Sequence, residues 1–100
     1  MIIKEGKIDK NKINIPFTKA VADIKQEILS IDCEFHIDCA DELIKNGSEI
    51  KSLWGFNIYS DFRLDFVSLI NIRPADNNRS MEIQIPEIRG KIEEIFKKFI

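Results

Sequence analysis

The sequence predicts an α+β fold, a two-layer α/β sandwich. It is expected to have a mainly antiparallel sheet of three or four strands, with two amphipathic helices on one face. Three observations point there. Residues 16–29 and 86–99 repeat apolar side chains at helical spacing. Leu53–Tyr59 and Arg63–Arg73 alternate apolar and polar residues, as half-buried strands do. The chain has 100 residues, 44% hydrophobic and 32% charged, which suits one domain with one core. Two helix stripes and one apolar sheet face then bury one another.

Ile2 and Ile3 can start an edge strand ahead of a basic, Ile-rich segment. Pro16 is preorganised for a first helical turn. Phe17, Ala20, Val21, Ile24 and Ile28 follow at i, i+3, i+4, i+7 and i+11, so a helix is expected to Leu29. Cys33, Phe35 and Ile37 alternate with Glu34 and His36, which reads as a short strand. Asp38 can cap a short helix that ends near Asn46, with Gly47 at its exit.

Leu53–Tyr59 and Arg63–Arg73 should form a hairpin around Ser60-Asp61-Phe62. A three-residue loop sets Tyr59 against Arg63, Ile58 against Leu64, Asn57 against Asp65 and Phe56 against Phe66. That register matches apolar with apolar and polar with polar, and a one-residue slip would break every match. One sheet face then carries Trp54, Phe56, Ile58, Leu64, Phe66, Ile70 and Ile72. The other carries Asn57, Tyr59, Arg63, Asp65, Asn71 and Arg73, with Leu53, Val67 and Leu69 as apolar exceptions. Pro74 ends the strand. After a polar loop, Met81, Ile83 and Ile85 read as a short extended piece. Pro86 opens a last helix whose stripe is Ile88, Ile92, Ile95, Phe96 and Phe99.

No stretch approaches the ~20 apolar residues of a membrane span, and the first residues lack the apolar run of a signal peptide, so a cytoplasmic protein is expected. A net charge of −2 gives no global attraction to nucleic acid or acidic membranes. Residues 21–50 hold eight acids, whereas all four arginines lie in the second half. Cys33 and Cys39 suggest no disulfide framework and read as buried thiols.

Several strings together are specific. They are Glu34-Phe35-His36-Ile37-Asp38, Trp54-Gly55-Phe56-Asn57-Ile58-Tyr59, Asn71-Ile72-Arg73-Pro74 with Asn78-Arg79-Ser80, and Pro86-Glu87-Ile88-Arg89. In these the chain resembles a prokaryotic family of small proteins classed as a domain of unknown function. The resemblance covers most of residues 18–100 and implies one compact α+β domain, with no activity attached. Cys33 and Cys39 stand where similar sequences tend to carry Gly and Ala.

Four groupings could carry chemistry. Cys33, His36 and Cys39 supply soft metal ligands, but a strand would put Cys33 and His36 on opposite faces, so no metal and no cofactor are expected. His36 with Asp38, Asp41 or Glu42 could serve as an acid–base pair. Trp54, Phe56 and Phe66 could stack on bases, but their positions read as core, so no nucleic acid is expected. Arg73, Asn78, Arg79 and Ser80 gather two guanidiniums, an amide and a hydroxyl, a set suited to phosphate or carboxylate. The reading that follows is a non-enzymatic binding or interaction module using the polar sheet face and that loop. Its site would comprise Arg73, Asn78, Arg79 and Ser80 with Asn57, Asn71 and Tyr59, and its partner would be a small anionic ligand or a protein. The alternative is a hydrolase or transferase for an anionic substrate, with His36 as acid or base. Leu53, Val67 and Leu69 would be the residues of a homodimer contact.

Overall fold

The computed structural model describes residues 1–100. One antiparallel sheet of five strands runs in the order β1-β3-β2-β4-β5. The strands are β1 (Ile2–Ile3), β2 (Phe17–Asp23), β3 (Ile28–Ile31), β4 (Leu53–Tyr59) and β5 (Leu64–Asp65), and the helices are α1 (His36–Lys45) and α2 (Pro86–Lys97). The edge strand at Ile2–Ile3, the β4 boundaries and α2 are where the sequence puts them.

The first expected helix is instead the β2–β3 hairpin. Ala20, Val21 and Ala22 are each fully buried. Ala20 and Ala22 pack with Trp54 and Phe56 under α2, and Val21 packs with Leu43 under α1. A strand covered on both faces loses its polar–apolar alternation, and its apolar run then satisfies a helical template by coincidence. Asp23 makes the turn. It is buried, its Oδ1 accepts from Lys25 N and Gln26 N at 2.9 Å, and its Oδ2 accepts from the Ser48 hydroxyl at 2.6 Å. Glu27 sits in the left-handed region and receives Lys91 and Lys98, which ties the turn to α2.

The expected strand at 33–37 is the entry to α1. Asp38 is not the cap residue but the third residue of the helix, and its Oδ2 accepts from the Phe35 N–H at 3.1 Å. Gly47 follows the helix at φ +97°, as a left-handed exit requires. Cys33 and Cys39, expected as free thiols, form a disulfide that joins this entry to the first turn of α1.

The expected hairpin register holds for Asn57↔Asp65 and Ile58↔Leu64, and Tyr59 N donates to Arg63 O. It does not reach Phe56 and Phe66, nor does the strand continue to Arg73. Two side chains end it. Asp65 Oδ1 takes the Val67 N–H, and Asn57 Nδ2 takes the Val67 carbonyl. Residues 66–68 pair instead with the extended piece at 81–83, through Ile83 N to Phe66 O, Ser68 N to Met81 O and a Val67↔Glu82 bridge.

The two helices do not share a face. Ile92, Ile95 and Phe96 of α2 join the larger core with Trp54, Phe56 and Ile58. Cys39, Ala40 and Leu43 of α1 join the smaller core on the opposite side, with Val21 and Leu53. The face expected to be polar is therefore half covered. Leu53, one of its apolar exceptions, is 2% exposed beneath α1. Phe66, Leu64 and Ile88 are partly buried against the larger core, Ile70 packs toward the smaller one, and Ile72 is exposed.

Candidate functional site

On the α1 side, residues 19, 57 and 65 form a row across three strands. Lys19 pairs with Asn57 in the β2–β4 register, and Asn57 pairs with Asp65 in the β4–β5 register. Beyond the first turn of α1 this row floors an open groove of about 480 Å³. Phe35, His36 and Ile37 form one wall, and Val67, Leu69 and Ile70 form the other. Phe17 and Met81 also line it. Phe35, Ile37 and Leu69 are more than half exposed, so apolar surface stands open to water there. Of the expected dimer residues, Val67 and Leu69 line this groove.

His36 is fixed from below. Its Nε2 lies 3.0 Å from the Phe56 carbonyl oxygen and 2.8 Å from Asn57 Oδ1. Both neighbours can only accept, so Nε2 carries the proton and Nδ1 carries the lone pair of a neutral ring. The amide orientation of Asn57 is fixed in turn, because its Nδ2 donates to Asp65 Oδ1 at 3.2 Å and to Val67 O at 3.0 Å. Asp65 also accepts from the Tyr59 hydroxyl at 3.0 Å and from Val67 N at 3.0 Å. Burial pushes the His36 pKa below its ordinary value and Lys19 adds in the same direction, whereas the hydrogen bonds to Phe56 O and Asn57 and the charge of Asp65 oppose both. Nδ1 makes no hydrogen bond within the protein, so the relay Asp65–Asn57–His36 ends in one free acceptor. The acids proposed as His36 partners, Asp38, Asp41 and Glu42, are not among its contacts.

The expected anion set has other work. Arg73 donates through Nη1 to Ile50 O and Leu53 O, at 3.1 and 2.8 Å, and through Nη2 to Lys51 O at 3.1 Å. Its guanidinium lies 3.8 Å from the centre of the Trp54 ring, and Nε faces Asp76 at 3.3 Å. These bonds make it a tie between the loop and β4. Asn71 and Asn78 are fully buried. Asn78 donates to the carbonyls of Asn71, Ser80 and Glu82 and accepts from Gln84 N, so it holds its own loop together. Ser80 Oγ accepts from Glu82 N. Arg79 is exposed, and its guanidinium makes no ion pair. The bonds thus leave Asn57 and His36 at the groove, with Tyr59 behind it on Asp65, and withdraw Arg73, Asn71 and Asn78 from it.

The match to a family model decides the membership. The chain belongs to the family described as protein of unknown function, DUF5674, whose model matches residues 3–99. No curated protein and no solved structure matches it. No helix is long and apolar enough to cross a membrane.

Alternation puts Asn57 and Asp65 on one polar face but does not bring Lys19, Phe35 and Ile37 to it, because residues 16–29 match a helical template and 33–37 a strand. A usable signal for the first was the contiguous Ala20-Val21-Ala22 run followed by a turn-forming Asp23.

Proposed function

We propose that this chain is a binding module whose ligand site is the groove between the start of α1 and the Val67–Ile70 segment. A volume of about 480 Å³ is in the range of small-molecule sites, which are largely apolar with a few oriented polar groups. The observation that carries the reading is His36. Its Nε2–H is spent on the floor of the groove, and Nδ1 is left as an oriented acceptor among apolar walls. A small ring or chain with one N–H or O–H donor meets both requirements.

Indole and 1-methylindole test it, since they share an apolar body and differ in one donor. Titrated into labelled protein, indole is expected to shift the signals of His36, Phe35 and Leu69 and to bind about tenfold more tightly than 1-methylindole, the worth of one partly buried hydrogen bond. His36→Phe should remove the difference. Shifts outside the groove, or none for either compound, would overturn the proposal.

A further inference from the structure

We infer that the natural ligand of this groove is an organic acid, an apolar body whose carboxylate is received by Lys19 while its donor meets His36. The inference rests on the binding reading above and adds the ligand's charge. Two formally charged side chains line the groove, Lys19 and Asp65. They are not equivalent. Both Asp65 oxygens are engaged by donors of the protein itself, Asn57 Nδ2 and Val67 N on Oδ1 and the Tyr59 hydroxyl on Oδ2. Three neutral donors already take most of that carboxylate's acceptor positions, so its remaining charge is directed into the protein.

Lys19 is different. No carboxylate lies within ion-pair distance of its amine. Nζ donates to the Glu34 carbonyl at 2.8 Å and stands 5.6 Å from the centre of the Phe35 ring. One of its three hydrogens is therefore used and the amine is held at the groove wall, with two hydrogens left for a ligand. The strand register fixes its base, because Lys19 lies directly across from Asn57, the residue that orients His36. A cation without a partner and a neutral acceptor thus flank one apolar space. A carboxylate satisfies the first, and beside apolar walls its attraction to the ammonium is stronger than in open water. An ammonium on the ligand would be repelled.

Indole-3-acetate, indole-3-acetamide and tryptamine test the inference, since they keep the same ring and N–H and change only the charge of the side arm. By calorimetric titration at low salt the acid is expected to bind about tenfold more tightly than the amide, and the amine most weakly. The acid's advantage should shrink as salt rises. Lys19→Met should bring acid and amide together, while Lys19→Arg keeps the charge and should keep the preference. Melting curves of both variants establish that they are folded. If amide and acid bind equally to the wild type, or if Lys19→Met leaves the preference intact, the acid assignment is wrong while the groove remains a binding site. If none of the three binds, the groove reading and the acid assignment fall together.

Discussion

At the β4 edge the Asn71 amide occupies the place a neighbouring strand would take. Its Oδ1 accepts from Gly55 N at 2.8 Å, and its Nδ2 donates to Gly55 O at 2.9 Å and to Met81 O at 3.1 Å. The chain can come this close because residue 55 has no side chain. A Cβ built on Gly55 would lie 2.5 Å from Ser68 Cβ and 3.1 Å from Ile70 Cγ1. Asn71→Ala should therefore cost about 3 kcal/mol, since it strands two buried backbone groups of Gly55. Gly55→Ala should cost about 1–3 kcal/mol through forced displacement of Ser68. Denaturant melts decide both, and losses under about 1 kcal/mol would mean that the Ser68–Asn71 segment is not anchored on β4. An amide with this role leaves a string such as Asn-x-Arg-Pro looking functional from sequence, because buried hydrogen-bonding side chains and ligand-binding ones are the same residue types.

Among the elements, the start of α1 is the part on which the groove depends. Phe35, His36 and Ile37 all lie between the two cysteines, so the Cys33–Cys39 bond closes a short ring around the residues that form one wall. Cys39 is fully buried and Cys33 half-buried. Closing a ring this small removes roughly 2 kcal/mol of chain entropy from the unfolded state. Reduction by a dithiol is expected to lower the melting temperature and to speed amide exchange in residues 35–39 more than in α2. Identical melting and exchange before and after reduction would show that the bond carries no weight. The sequence pattern shows the body of α1 to Asn46 but not its first residues. Cys33 to Ile37 alternates by accident, and a pair of cysteines six apart fits a strand with buried thiols as well as a stapled helix entry. By contrast α2 was legible, because Ile88, Ile92, Ile95, Phe96 and Phe99 meet a single core on one side only.

For the molecule as a whole, the sheet separates two jobs. The face under α2 is closed by a large core, whereas α1 covers only part of the other face and leaves the row Lys19–Asn57–Asp65 open beyond its first turn. Alternation within β4 revealed the polar half of that row. The cation entered it only through the pairing of β2 with β4, a contact between residues 38 apart that periodicity along the chain cannot show. Burial holds His36 neutral above this row and leaves Nδ1 free, and the imidazole nitrogens report on that state directly. In a ¹H–¹⁵N spectrum across a pH series, Nε2 should carry the proton and Nδ1 none at neutral pH. The ring should stay neutral below the ordinary histidine value near 6.5. Because the folded pKa is the lower one, the unfolded chain binds the extra proton first. The stability contributed by His36 is thus complete above about pH 6.5 and is lost as pH falls toward the folded value. A proton on Nδ1, or a ring that charges at or above pH 6.5, would contradict the neutral ring and with it the groove's free acceptor.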